Sequence, residues 1–321
     1  MAVALLIVYV VWGSTYFAIA LMIETMPPLL AAGARYGSAG VLLLAGLAAY
    51  WRWRGKQGEA ERPTAVHWRS AFIVGTLLLL GGNGGVVLSE LFIPSGVSAV
   101  LVATVPIWLA VFDALLTRRR PSLLVIGGLV AGVIGVAVLI IPVGGLAQVN
   151  PIGVLLVVGA TISWAIGSLY ARRAPLPRSG LLATGLEMVG GGISLIIVAG
   201  VIGEFGQMDV GEFSARSIVA FVYLVIFGSI IAFTAYTWLL AHAPVSTVAT
   251  YAYVNPIVAV ALGAVFLKEP ITPRTLIAAA IIIGAVVAMV SGRPRTTDAS
   301  EEPVEATAVP NAVNVPVEGD S

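Results

Sequence analysis

Gly96-Val97-Ser98-Ala99 begins an apolar run of helix length that passes through Pro106. The second half of the chain repeats this order, because Pro244-Val245-Ser246-Thr247 begins an apolar run that passes through Pro256. The starts of the two halves also correspond, as two stretches show: Trp12-Gly13-Ser14-Thr15-Tyr16 and Trp164-Ala165-Ile166-Gly167-Ser168-Leu169-Tyr170. In an apolar chain such a repeat predicts two related halves, an architecture by which many carriers expose one site alternately to either side of a membrane.

The composition is that of a membrane protein. Hydrophobic residues make up 59% of the 321 residues and charged residues 10%, with a mean hydropathy of +1.01. A soluble chain carries about 25% charged residues. The apolar residues form blocks of about 17–25, long enough to cross a hydrocarbon core about 30 Å thick. They lack the short alternating segments of a β-barrel, so the sequence predicts a polytopic helical membrane protein.

Several kinds of site are disfavoured by the residue types. The chain has no cysteine and two histidines, His67 and His242, which argues against thiolate or histidine metal sites and against cysteine nucleophiles. A Gly-x-x-x-x-Gly-Lys-Ser/Thr phosphate loop is missing from the sequence. We therefore expect no enzyme activity, no metal, no cofactor and no nucleic-acid partner. The apolar N-terminus is interpreted as a first spanning helix and not as a signal peptide.

Prolines and charged clusters divide the chain into ten predicted spans. Their approximate limits are 2–22, 30–51, 69–89, 94–117, 122–142, 151–171, 179–203, 215–241, 244–267 and 273–291. Residues 1–142 and 151–291 then form two repeats of five spans each. Residues 292–321 are rich in Pro, Glu, Thr and Ala, which predicts a disordered cytoplasmic tail.

The basic residues predict the orientation. With both termini in the cytoplasm, thirteen of the seventeen Lys and Arg residues fall on the cytoplasmic side, as the positive-inside rule requires. Five crossings per repeat place the two repeats in opposite orientations. The loops agree with this inversion, because Arg118-Arg119-Arg120 of the first repeat corresponds to Lys268-Glu269 of the second. The predicted fold class is an all-α polytopic membrane protein with ten transmembrane helices in two inverted five-helix repeats, located in the cell membrane.

The order and spacing of several motifs carry a family resemblance over residues 1–291. These motifs are Trp12-Gly13-Ser14-Thr15-Tyr16, Arg35-Tyr36, Pro94-Ser95-Gly96-Val97-Ser98-Ala99 with Pro106, Trp164-Ala165-Ile166-Gly167-Ser168, Glu187-Met188-Val189-Gly190-Gly191-Gly192, Asn255-Pro256 and Glu269-Pro270. The chain resembles the EamA-type carriers of the drug/metabolite transporter superfamily. The resemblance implies a ten-helix secondary carrier with a central cavity, in a family that commonly exports amino acids, metabolites or foreign compounds. It does not identify the substrate.

Two charged residues inside predicted spans are candidate functional groups, because a charge at the bilayer centre costs about 2.5–3.5 kcal/mol on insertion scales. Arg35 binds an anionic group of the substrate, serves as a structural partner, or extends its charged end to the membrane surface as a snorkelling residue. Glu187 either binds a proton or a substrate ammonium, or packs between helices where Gly190-Gly191-Gly192 permits close approach. Glu24 and Glu90 fall at the ends of spans and are predicted to be solvated.

Uncharged polar and aromatic residues complete the predicted substrate site, because such side chains at mid-depth suit a pocket for a partly apolar ligand. Tyr251 is preferred over Tyr253, since two residues on a helix differ by about 200° in direction. Pro106 and Pro256 are predicted hinges. The glycines around Asn83 either unwind the third span beside a cavity or permit tight packing. The further candidates are Trp12, Ser14, Tyr16, Asn83, Trp108, Trp164, Ser168, Tyr236, Trp238 and Asn255.

The expected function is that of a secondary transporter that moves a small organic solute by alternating access, with export as the expected direction. The predicted partners are a small-molecule substrate, membrane lipids and, through Glu187, protons; the oligomeric state is left open. Two alternatives stand beside it: a channel-like facilitator, and a membrane protein for lipids or other substrates without ion coupling.

Overall fold

A computed structural model of the protein describes residues 1–55, 61–118, 123–140, 149–243 and 251–291. Every regular element in these ranges is helical, and they contain no strand. The predicted tail at 292–321, the predicted boundary at 142 and the start of the span predicted at 244–267 lie outside the described residues.

The helices follow the predicted order along the chain. Within the described ranges, seven helices are long and apolar enough to cross a membrane, and shorter apolar helices occur at Ile126–Val138, Val254–Phe266 and Pro273–Ala288. The helical elements are α1 (Ala2–Met22), α2 (Pro28–Trp53), α3 (Ala65–Ser89), α4 (Ser95–Leu116), α5 (Leu123–Ile140), α6 (Pro151–Ala171), α7 (Gly180–Val201), α8 (Ala215–Tyr223, Leu224–Ile231 and Ala232–His242 in succession), α9 (Tyr251–Phe266) and α10 (Pro273–Ser291). Two short 3₁₀ turns, Glu204–Gln207 and Val210–Glu212, lie between α7 and α8.

Local sequence signals set where these helices begin. Pro28 and Pro151 occupy the first helical turn, where the missing N–H of proline costs nothing. The side chains of Asn150, Ser179 and Ser214 accept hydrogen bonds from backbone N–H groups in the first turns of α6, α7 and α8. The limits predicted from proline positions therefore agree with the structure to within a few residues.

Four of the spans depart from regular α-helix. Segments of π-helix occur at Val8–Trp12 in α1, Thr76–Gly84 in α3 and Leu224–Ile231 in α8. In α4 the helix is interrupted at Ala103 and Thr104, immediately before the second segment, Val105–Leu116, which carries Pro106 in its first turn. Single π-helical turns inside α-helices are frequently found at functional sites.

The glycine-rich part of α3 is π-helical and not unwound, and it is closely packed. The Ser163 hydroxyl of α6 donates a hydrogen bond of 2.7 Å to the Leu77 carbonyl oxygen. A Cβ at Gly82 would lie 2.8 Å from the Trp164 ring, and one at Gly85 would lie 2.9 Å from Cβ of Ala160. The packing interpretation of these glycines is thus supported, and the irregular backbone accompanies it.

Helices α2 and α7 pack against each other in antiparallel fashion through glycines. A Cβ at Gly192 would lie 2.6 Å from the Gly37 nitrogen and 3.0 Å from the Gly33 oxygen. One at Gly40 would lie 2.9 Å from the Gly185 oxygen. Because backbone atoms cannot retreat as a flexible side chain does, these positions require glycine for the helices to approach so closely.

Three glutamates in loops hold the starts of helices that are distant in sequence. The Glu204 carboxylate accepts hydrogen bonds from the backbone N–H groups of Leu29 (3.1 Å) and Leu30 (2.7 Å) at the start of α2. At the start of α4, the Glu269 carboxylate accepts from the N–H groups of Ser95 (2.8 Å) and Gly96 (3.2 Å). At the start of α7, the Glu61 carboxylate accepts from the N–H groups of Arg178 (3.1 Å) and Ser179 (3.2 Å). A carboxylate in this place satisfies orphan donors and complements the positive end of the helix dipole. The two backbone donors lower the pKa of the Glu61 carboxyl below its usual value of 4.5.

Candidate functional site

A cavity of about 90 Å³ lies between the two halves of the chain. Its wall is formed by residues of α1, α2, α3, α4, α6, α8 and α9. Each irregular helical segment contributes to it: Trp12 in α1, Asn83 in α3, Gly228 in α8, and Ala103 with Val105 at the interruption of α4. The departures from α-helix are therefore concentrated around one cavity.

Aromatic side chains form one wall of the cavity around Trp12. The Trp12 ring centroid lies 5.7 Å from that of Phe233 and 5.4 Å from that of Tyr251, both in edge-to-face geometry. Its Nε1 donates a hydrogen bond of 3.3 Å to the Gly228 carbonyl oxygen. Tyr236 contacts Trp12 at 4.9 Å and Tyr251 at 6.0 Å from behind this layer. Such edge-to-face pairs hold the rings in fixed orientations.

Arg35 supplies a positive charge to the wall of the cavity, and it is buried, with only 3% of its surface exposed. Its Nε donates a hydrogen bond of 3.0 Å to the Ser229 hydroxyl, and its guanidinium carbon lies 4.5 Å from the centroid of the Tyr36 ring. Nη1 is buried and has no hydrogen-bond partner among the described residues. Nη2 lies beside Gly228, where a Cβ would approach it to 3.1 Å.

Asn255 is a buried amide that joins two helices beside the cavity. In the amide orientation that satisfies its neighbours, its side-chain nitrogen donates to the carbonyl oxygens of Tyr251 and Tyr9, each at 3.2 Å. The first contact lies within α9 and the second reaches α1. Asn255 thus links α9 to α1, the helix that carries Trp12.

The structure brings many of the predicted site residues to this cavity. The predicted residues in its wall are Trp12, Tyr16, Arg35, Asn83, Trp164, Tyr251, Asn255 and the predicted hinge Pro256. The predicted hinge Pro106 follows the interruption of α4 next to Val105, which is in the wall.

Other predicted residues lie elsewhere. The Ser14 hydroxyl is hydrogen-bonded to the Tyr223 hydroxyl at 2.6 Å, and the Ser168 hydroxyl donates to the Trp164 carbonyl oxygen at 2.8 Å. Trp108 stacks on Phe112, and Trp238 is 42% exposed. Tyr236 lies behind the aromatic wall. These five residues are not part of the described cavity wall.

Glu187 also lies outside the described cavity wall. Its backbone oxygen lies so close to Gly75 of α3 that a Cβ at Gly75 would clash with it. One helical turn further along α7, a Cβ at Gly191 would lie 2.7 Å from the Gly75 oxygen. The backbone around Glu187 is therefore packed closely against α3.

The prediction that Glu90 is solvated is wrong. Both of its carboxylate oxygens are buried and lack a hydrogen-bond partner among the described residues. The adjacent hydrogen bond of 2.9 Å between the hydroxyls of Ser89 and Ser98 joins the end of α3 to α4, which encloses this corner of the bundle. Glu24 behaves as predicted, since it is partly exposed and lies 3.7 Å from Arg216.

The sequence interpretation missed several residues of the wall, including Thr15, Ile19, Thr161, Gly228 and Phe233. Thr15 and Thr161 are small polar residues near Trp12 and Trp164, which was an available signal. Gly228 stands out only once the structure shows it accepting a hydrogen bond from Trp12. Apolar residues such as Ile19 have no signal that separates a cavity wall from ordinary packing.

Comparisons with known proteins agree with this architecture. The model of the EamA-like transporter family matches the chain twice, at residues 1–141 and at residues 151–291. The chain belongs to the EamA-like transporter family. Both matches include residues of the cavity wall, so each copy of the family unit contributes to the site.

Named relatives and a solved structure extend the comparison. The "Uncharacterized inner membrane transporter YedA" of Escherichia coli (strain K12) is 38% identical over 291 residues, which are 90% of each chain. The "Protein PecM" of Dickeya dadantii (strain 3937) is 28% identical over 86% of this chain and 88% of that one. A structure described as "Crystal structure of protein" has a TM-score of 0.60 and 18% identity, covering 89% of this chain and 94% of that chain, and it supports the fold alone. The family and the apolar helices make this chain a multi-pass membrane transporter for a small-molecule substrate.

Proposed function

We propose that this protein is a secondary carrier that moves a small organic solute across the cytoplasmic membrane by alternating access around the cavity between its halves. The observation that carries the proposal is the cavity itself, because both copies of the family unit line it. A site at the interface of two repeats is what alternating access requires, since rocking one repeat against the other opens the same site to either side.

Ten membrane helices are the architecture that we propose for this carrier. To the seven long helices we add α5, α9 and α10, which have 18, 16 and 19 residues. At a rise of about 1.5 Å per residue, the 16 residues of α9 span about 24 Å of a hydrocarbon core about 30 Å thick. The proposed repeats are residues 1–142 and 151–291, followed by a cytoplasmic tail at 292–321.

Inversion of the two repeats is supported by the contacts between α2 and α7. Gly33 of α2 contacts Gly192 of α7, and Gly40 of α2 contacts Gly185 of α7. In the proposed repeat Gly33 corresponds to Gly185 and Gly40 corresponds to Gly192, each at an interval of 152 residues. Exchanging α2 with α7 therefore converts one contact into the other, as an axis in the membrane plane would do. The same interval separates Trp12 from Trp164, which both line the cavity. Helices α3 and α8, the third of each repeat, both contain a long π-helical segment.

Cytoplasmic positions for both termini follow from the distribution of basic residues. The chain has no cysteine, so single cysteines report sidedness directly. In intact cells, a membrane-impermeant maleimide should label Lys268→Cys and should not label Arg54→Cys, because these exposed positions fall on opposite sides of the proposed bundle. The reverse pattern of labelling would overturn the proposed orientation.

Transport through the cavity is tested by exchange in proteoliposomes. Amino acids, sugars, nucleosides, organic acids and cationic drugs are first screened for their effect on the melting temperature of the purified protein, because a ligand that prefers the folded state raises stability. Compounds that stabilise it are then tested for saturable counterflow. Trp164→Ala, which removes an aromatic surface of the cavity, should raise KM about 10-fold, in line with about 1–3 kcal/mol for a buried aromatic contact.

The matched control is Trp53→Ala, because Trp53 is 81% exposed and outside the cavity wall. Its kinetics should equal those of the wild type. Flux that never saturates would favour the channel-like alternative. We propose Glu187 as the group that binds the coupled proton. Counterflow at equal rates with and without a pH gradient would show that transport is not coupled to protons.

A further inference from the structure

The guanidinium group of Arg35 has hydrogen-bond donors that the described residues do not use. Arginine presents five N–H donors in a rigid fork. The described contacts account for Nε, through Ser229, and for the face over Tyr36, whereas Nη1 is buried without a partner. Arg35 also makes no ion pair with any residue that the structure describes. A buried guanidinium without an ion pair is energetically costly unless a bound solute supplies the opposite charge.

The described residues of the cavity wall offer Arg35 no acidic side chain as a partner. Among the described lining residues, Arg35 carries the only full charge, and the others are apolar, aromatic, amide or hydroxyl side chains. Glu187 and Glu90 are both outside the wall. The cavity is therefore a positive site, and it lies in surroundings where charge–charge attraction is stronger than in water.

The remainder of the wall suits an apolar body of modest size. Trp12, Tyr16, Trp164 and Tyr251 line this space of about 90 Å³. The ring of Trp12 is held by its hydrogen bond to Gly228, and Gly228 in turn lies beside Nη2 of Arg35. The aromatic wall and the charge are thus adjacent, so a single small molecule can contact both.

We infer that Arg35 binds a carboxylate, or an anionic group of similar size, on a solute whose aromatic or branched apolar body lies against the rings of the cavity. This inference rests on the proposed carrier function and specifies its substrate class. The guanidinium fork matches the two oxygens of a carboxylate, with Nη1 free to donate and Ser229 holding Nε. With no acidic side chain in the described wall to bind an ammonium, a monoanion is preferred over a zwitterion and over a cation.

Four probes that share one ring test the charge preference of the wild-type protein. They are 3-phenylpropionate (anion), phenylalanine (zwitterion), phenethylamine (cation) and 3-phenylpropanol (neutral). In binding measured by thermal shift in detergent and by counterflow in liposomes, 3-phenylpropionate should be the strongest ligand. Loss of its charge, as in the alcohol, should weaken binding about 10- to 100-fold, the effect expected for a hydrogen bond to a charged group.

Two substitutions at Arg35 and one matched control assign the preference to this residue. Arg35→Gln should abolish the advantage of 3-phenylpropionate over 3-phenylpropanol while leaving binding of the alcohol within about 3-fold, a difference below one kcal/mol. Arg35→Lys keeps the charge and should retain part of the advantage, since a lysine lacks the planar fork. Arg216→Gln removes an exposed arginine that lies outside the cavity wall, and it should behave as the wild type.

The outcomes separate this inference from the carrier function on which it rests. If the wild type binds the alcohol or the amine as well as the anion, or binds none of the four, Arg35 is a structural residue and the inference is overturned. If another compound of the broad panel shows saturable counterflow at the same time, the carrier function stands. If Arg35→Gln does not fold, the selectivity of the wild type among the four probes still decides.

Discussion

Helices α2 and α7 are equivalent in the proposed repeat, yet they present different chemistry to the protein. The interval of 152 residues that relates their glycines also relates Arg35 to Glu187. Arg35 reaches the wall of the cavity, whereas Glu187 lies on a segment that packs against Gly75 of α3. The shared feature is the close antiparallel contact through glycine. The difference teaches that the repeat preserves the contact between the halves, while the charge at the site comes from one half alone.

The starts of the same two helices make a second comparison. Both are held by a loop glutamate, Glu204 at α2 and Glu61 at α7, and the antiparallel packing places the two caps at opposite ends of the helix pair. Glu204 is 3% exposed, whereas Glu61 is partly accessible to solvent. Water can replace a lost hydrogen bond at an accessible cap but not at a buried one, so the two ends differ in how firmly the helix start is held.

The largest effect is expected from Glu204→Gln. The amide keeps one acceptor oxygen but turns an N–H group towards the backbone donors of Leu29 and Leu30, and it removes the charge. Loss of a buried, charge-assisted hydrogen bond should lower the free energy of unfolding by about 2–3 kcal/mol. The decrease is measured as a lower melting temperature of the purified protein.

Glu212→Gln is the matched control, because Glu212 lies in the same loop and is exposed. Its melting temperature should equal that of the wild type. Equal melting temperatures for Glu204→Gln and Glu212→Gln would mean that the buried cap contributes nothing beyond surface charge.

The smallest effect is expected from Glu61→Gln, and it should depend on pH. The backbone N–H groups of Arg178 and Ser179 lower the pKa of the Glu61 carboxyl in the folded protein below 4.5. A depressed pKa means that the cap stabilises the protein above the unfolded pKa and that this contribution is lost as the pH falls through the folded pKa. The difference in melting temperature between wild type and Glu61→Gln should therefore be present at pH 7 and should vanish below the folded pKa.

This pH dependence sharpens the comparison between the two ends. A difference that persists unchanged at low pH would show that the charge of Glu61 has no part in holding α7. A decrease at pH 7 as large as that of Glu204→Gln would show that solvent access does not weaken the cap.

Helix limits were predictable from the sequence because local chemistry sets them. Pro28 and Pro151 begin helices for steric reasons that act within one turn, so their positions follow from residue identity. The cavity was predictable in part for a similar reason. Trp12, Tyr16 and Arg35 are polar or aromatic residues within apolar spans, where such side chains are costly unless they face protein or water.

The direction in which each side chain points was not predictable to the same degree. Ser14 lies two residues from both Trp12 and Tyr16, and it hydrogen-bonds to Tyr223 instead of facing the cavity. Residues two apart on a helix differ by about 200° in direction, so Ser14 cannot share the face of Trp12 and Tyr16. Which of the two faces meets the cavity is set by tertiary packing and leaves no mark in the composition. The burial of Glu90 depends on how α4 meets the end of α3, which is a tertiary contact.

The π-helical segments of α3 and α8 have a mechanical consequence for the cavity. A π-helical turn holds one more residue than an α-helical turn, and one residue corresponds to about 100° of rotation. Conversion of such a turn to α-helix therefore rotates the adjoining part of the helix about its axis while the backbone stays hydrogen-bonded. Asn83 and Gly228 lie within these segments and in the cavity wall, so a conversion of this kind would change which groups face the cavity.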